Sequence, residues 1–171
     1  MAEEQEKIPF EEVLDKLLNA EEMLPANLIF RLSDLVKEES EAIAKAWLRI
    51  SADRRLGLLQ DMELITEDNL IVNFDEVSRI ALKDPVAENR ETALRCLWES
   101  EDPAFIPVLL DMLKTEENLR VNAQIIHTLV KYIQLGETGR LLEAKFKAVL
   151  ETVESIYKSD SPEPLRQKAL E

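Results

Sequence analysis

The stretch "DPVAENRETALRCL", residues 84–97, places an Asp-Pro turn ahead of a short helix carrying Arg90 and, three residues later, Ala93. The same pattern recurs twice more. "TEENLRVNAQIIHTL", residues 115–129, carries Arg120 and Ala123, and "DSPEPLRQKALE", residues 160–171, carries Arg166 and Ala169. A lysine (Lys83, Lys114, Lys158) closes the helix before each turn. Short helices joined by tight turns cannot each bury an apolar face alone, but stacked pairs share one continuous core. The small Ala lets neighbouring helices approach closely.

The unit helix, Lys, polar turn, Arg-x-x-Ala, helix resembles the HEAT-repeat family, in particular its short HEAT-like members. The residues carrying the resemblance are "DPVAENRETALRCL", "EDPAFIPVLLDMLKTEENLRVNAQIIHTL" and "LRQKAL". It covers residues 74–171 well and 1–66 loosely, where "DRRLGLLQD" offers Arg54 and a small residue at Gly57. The expected fold is therefore an all-α, right-handed α-solenoid, a superhelix of stacked antiparallel helix pairs. It is read as a single domain over 1–171, with 1–66 as irregular N-terminal capping helices. The resemblance implies a structural ladder between adjacent repeats, built from Asp84, Arg90, Arg120, Asp160 and Arg166. Two departures stand out. Arg120 and Arg166 lie forty-six residues apart against thirty for Arg90 and Arg120, so "IQLGETGRL" is an insertion or part of a long helix. The second repeat has Thr115-Glu116-Glu117 where the turn Asp should be.

Composition agrees with helices. Only three of 171 residues are Gly and 46% are hydrophobic, too many for a disordered chain despite 33% charged residues. The formal net charge of −14 comes from 21 basic and 35 acidic side chains. Such a chain repels phosphate backbones and anionic lipid headgroups, so neither nucleic acid nor a membrane is expected as a partner. The one cysteine, Cys96, has no internal partner, which points to a reducing cytoplasm.

Along the chain, "PFEEVLDKLLNA" spaces Phe10, Val13, Leu14, Leu17 and Leu18 as a helix, with Glu11 and Glu12 in its first turn. A second helix is expected from Pro25 with Leu28, Ile29, Leu32, Leu35 and Val36 inward. A third carries Ile43, Ala46, Trp47 and Ile50, and Ser51 caps a fourth bearing Leu58, Leu59, Met62 and Ile65. "TEDNLIVNF", residues 66–74, reads as a loop pinned by buried aliphatics, with Asn73 and Glu76 pairing as caps of the next helix. Helices are then expected over 74–83, 87–99, 103–114, 118–134 (closed by Gly136), 141–158 and 162–171.

Catalytic constellations are not found. His127 is alone on its helix, with no second ligand at helical spacing, and reads as a packed or half-exposed helix residue. Cys96 reads as an inert core thiol. The adjacent acids Glu21-Glu22, Glu38-Glu39, Glu67-Asp68 and Glu116-Glu117 suit helix starts in an acid-rich chain. "TEDNLIVNFDE" lacks the ligand alternation and central Gly of a calcium loop, and "LGETG" lacks phosphate-loop spacing. Trp47 and Trp98 are read as core-filling, the alternative being a peptide-contacting anchor. No cofactor or metal is expected.

The favoured function is a non-enzymatic scaffold or adaptor that binds a protein, in particular a basic one. In such stacks the second helix of each pair lines the concave face. That makes Asp61, Glu91, Arg95, Glu99, Gln124, Thr128 and Lys131 the candidate contacts. Three other readings compete. Some short HEAT-like proteins are lyases attaching bilin pigments. Others bind DNA in a basic concavity and excise bases, which the acidity here opposes. Lastly, the helix beginning at Pro162 ends mid-repeat, as expected of the N-terminal piece of a longer solenoid whose active part lies elsewhere.

Overall fold

The computed structural model describes residues 8–19, 24–68 and 71–170, with no side-chain description at 68. The fold is all-α, an α-solenoid of helices paired through short turns, and no strand occurs among the described residues. Ten α-helices are described: α1 Phe10–Leu18, α2 Ala26–Phe30, α3 Lys37–Ala46, α4 Ala52–Asp68, α5 Asp75–Ala81, α6 Ala87–Cys96, α7 Phe105–Thr115, α8 Leu119–Glu137, α9 Glu143–Lys158 and α10 Glu163–Lys168. The chain divides at Cys96–Leu97 into two compact units, α1–α6 and α7–α10.

In the first unit α4 packs on α6, α5 on α6 and α3 on α5. Its core includes Val13, Leu17, Ile29, Ile43, Leu59, Met62, Val77 and Leu94, all at most 3% exposed. Ala93 is fully buried in this packing, as a small residue at a close helix approach should be. α2 is shorter than expected. Asp34 takes a left-handed backbone (φ +53°), and its amide donates to the Asn73 carbonyl at 2.9 Å. That turn leaves Val36 half exposed at the head of α3 rather than on an apolar face.

Local caps follow the polar signals. The Ser51 hydroxyl accepts from the Arg54 amide (3.3 Å) at the start of α4. Asn73 Oδ1 accepts from the Asp75 amide (2.9 Å), but Glu76 does not complete the pair and instead accepts from the Ser40 hydroxyl (3.1 Å). In the 66–74 segment Val72 is half-buried. α4 runs on to Asp68, and Ile71 is 90% exposed, while Leu70 lies outside the described residues.

In the second unit α8 packs against α7, α9 and α10. Its core holds Phe105, Leu109, Val121, Ile125, Leu129, Tyr132 and Val149, each buried. Asp102 Oδ1 accepts from the Ala104 amide (2.9 Å), so Asp-Pro forms a turn and α7 begins at Phe105. Asn118 caps α8 through Oδ1, which accepts from the Arg120 and Val121 amides at 3.0 and 3.2 Å.

The forty-six-residue step is made of long helices, 19 residues in α8 and 16 in α9. Gly136 does not close α8. The helix runs through it to Glu137, and Gly139 (φ +73°) ends it. There the Arg140 amide donates to the Leu135 carbonyl (2.8 Å) and the Gly139 amide to the Gly136 carbonyl (3.0 Å), the two bonds of a left-handed helix cap. Gly136 instead makes room for α9, since a methyl on it would fall inside the Phe146 ring.

Candidate functional site

The most organised polar centre is buried in the first unit. Asp84, 1% exposed, accepts from Arg55 Nε (2.6 Å), Arg55 Nη2 (3.2 Å), Trp47 Nε1 (2.8 Å) and the Val86 amide (2.9 Å). Burial alone would raise its pKa. The Arg55 fork, the Val86 amide, Asn89 and the Trp47 indole outweigh that and hold the carboxyl below the usual range. Asp84 thus ties α4 and the 3-10 turn Trp47–Arg49 to the turn between α5 and α6. The sequence places Asp84 in a ladder with Arg90, Arg120, Asp160 and Arg166, and offers Arg54 only as a loosely fitting repeat arginine. The structure uses Arg55, its neighbour on the core side of α4.

The remaining ladder residues are placed differently. Arg90 Nη1 donates to the carbonyls of its own turn, Asp84 (2.8 Å) and Pro85 (3.2 Å). Arg120, Asp160 and Arg166 are exposed at the surface of the second unit.

Of the candidate contacts, Glu91 and Arg95 come together in the first unit, where Glu63 joins them. Arg95 on α6 donates through Nε to Glu63 on α4 (2.6 Å), with Glu91 one turn away at 3.4 Å. The Glu63 bond, with both carboxylate charges, holds Arg95 more firmly protonated than usual against its partial burial. Glu63 was missed because only the packing of α4 on α6 brings it to Arg95. Asp61 stands exposed further round α4. Its carboxyl is pushed up by loss of water at the wall of a notch, which the Arg54 charge only partly offsets. Glu99 lies exposed beyond the end of α6.

In the second unit, Gln124 is half-buried and Lys131 Nζ donates to the Leu97 and Trp98 carbonyls (2.6 and 3.2 Å). Thr128 is no surface contact. It is 5% exposed, and its hydroxyl donates to the Gln124 carbonyl (2.9 Å), which satisfies it inside the packed face of α8. His127 is exposed rather than packed.

The tryptophans split. Trp47 is core, 3% exposed, and Trp98 is surface, 47% exposed. Cys96 is buried, donates weakly to the Leu59 carbonyl (3.3 Å), and burial pushes its thiol up to about 12. No group of three His, Cys, Asp or Glu able to hold a metal occurs among the described residues. No described helix is long and apolar enough to cross a membrane.

Two concavities accompany these faces. One of about 400 Å³ in the first unit is lined by Leu24, Ser51, Asp53, Arg54, Gly57, Leu58 and Asp61. The other, of about 640 Å³ in the second unit, is walled by α7, α8, α9 and α10, with Leu110, Leu113, Ile126, Ile156 and Leu165 among its lining.

No curated protein and no solved structure matches this chain. The family model for HEAT repeats matches residues 75–171, more than half of the chain, and by that match the chain belongs to the HEAT-repeat family.

Proposed function

We infer that the chain is a non-enzymatic protein-interaction module, a scaffold or adaptor that holds another protein on the face lined by its second helices. HEAT repeats commonly mediate protein–protein interaction and are typically non-enzymatic. The observation that carries the reading is the Glu63–Arg95–Glu91 group. It is a charged group spanning α4 and α6, held by ion pairs between the two helices and along α6. Asp61 on another side of α4, and Glu99, Gln124 and Lys131 in the second unit, are further candidate contacts, each unit taken by itself. The net charge of −14 favours a basic protein over nucleic acid. A reducing compartment, the cytoplasm, suits a chain whose single thiol is buried.

The test is capture of partners on the immobilised chain at two salt concentrations, identified by mass spectrometry. It is repeated with Glu91→Lys and Arg95→Glu after circular dichroism shows both variants folded. Loss of a specific protein in the variants supports the reading. A wild-type chain that retains no protein above background, with turnover detected instead, overturns it.

A further inference from the structure

One face of α4 in the first unit is largely exposed among the described residues, with Leu24 standing at the edge of its notch. On α4, Asp53, Gly57, Asp61 and Leu64 follow at intervals of four, four and three residues, which places them on one side of the helix. Leu64 is 62% exposed and both aspartates are exposed. At Gly57 a methyl group would meet nothing within 4 Å, and the concavity of about 400 Å³ opens beside it. A glycine in mid-helix weakens the helix by about 1 kcal/mol against alanine. Here no close packing within the described residues explains it, whereas Gly136 is explained by Phe146.

We propose that this face of α4 docks a basic amphipathic helix of the partner protein, its backbone crossing closest at Gly57, with Lys or Arg side chains reaching Asp53 and Asp61 and an apolar side chain meeting Leu64. The proposal rests on the protein-interaction reading above and assigns its surface and the chemistry of its partner. Charge selects the occupant. Asp53, Asp61 and Glu67 on this face oppose the single guanidinium of Arg54, which is already donating to the Lys16 carbonyl (3.0 Å). An acidic segment would meet like charge here, and a purely apolar one would strip water from three carboxylates without pairing them. The notch supplies what charge alone does not, a place where two helix backbones can come close.

The test uses the whole chain and two synthetic peptides of about five helical turns. One carries Lys and Leu in amphipathic order and the other has the same composition scrambled. Binding is read by fluorescence anisotropy. The ordered peptide should bind at least about tenfold more tightly, and Gly57→Leu, whose side chain would enter the notch, should lose about tenfold. Asp53→Asn with Asp61→Asn should lose at least as much. Glu137→Gln with Glu143→Gln, which removes the same charge elsewhere, should lose little. Equal binding of both peptides, or undiminished binding to the folded Gly57→Leu variant, reduces the effect to general acidity and overturns the proposal. In the capture experiment, a partner lost with the Glu91 and Arg95 variants but kept by Gly57→Leu overturns this docking face while the interaction reading stands.

Discussion

The guanidinium of Arg55 and the carboxylate of Asp84 meet through two hydrogen bonds, 2.6 and 3.2 Å long, with both side chains at most 6% exposed. A buried pair of this kind adds little net stability over an apolar pair of the same shape, but removing one partner strands the other charge. Asp84→Ala is therefore expected to destabilise the first unit by about 3–5 kcal/mol. Asp84→Leu combined with Arg55→Met should be less damaging than Asp84→Ala alone. Urea denaturation of the three proteins, followed by circular dichroism, measures both.

The same carboxylate sets a pH dependence. Its folded pKa lies below the unfolded value, so its stabilisation is present above the unfolded pKa and is lost as pH falls through the folded one. Asp84→Asn should flatten the acid limb of a stability–pH curve measured by urea midpoint. A variant curve parallel to the wild type would remove Asp84 from this role.

How far the sequence announced this centre depends on the residue. Asp84 and Arg90 were legible because a turn and a helix start fix their places by local spacing alone. Arg55 was not, since "DRR" offers two arginines about 100° apart around a helix and only the phase of α4 in the core selects one. The Trp47 indole lies thirty-seven residues from Asp84, and nothing local records that bond. Thr128 misled for a related reason. The buried arc of α8 is broad, and a hydroxyl that can return its proton to the carbonyl four residues back enters it cheaply. The HEAT character of 74–171 was legible because it depends on repetition, which survives ignorance of every individual contact.

The three glycines make a graded set. Gly57→Ala should stabilise by roughly 0.5–1 kcal/mol, since the site is open and helical. Gly139→Ala should cost about 1 kcal/mol for its positive φ. Gly136→Ala should cost about 1–3 kcal/mol, because the new methyl displaces Phe146, and Phe146→Leu should recover part of that loss. Thermal melts of the five proteins test the order; a stabilised Gly136→Ala variant would mean that α8 and α9 are not in contact at this point.

Cys96 should behave as a reporter of opening. With its thiol pushed up to about 12 by burial, it stays protonated in the folded chain well above neutral pH. Its reaction with a maleimide should then track unfolding, slow in buffer and rising steeply through the denaturation midpoint. The sign at high pH follows as well. The unfolded thiol loses its proton first, so this group's contribution to stability falls as pH rises above the unfolded pKa of about 9. Cys96→Ala should remove that alkaline slope and leave the acid limb unchanged. Rapid labelling of the native protein at neutral pH would place Cys96 at the surface and break the packing of α6 on α4 described here.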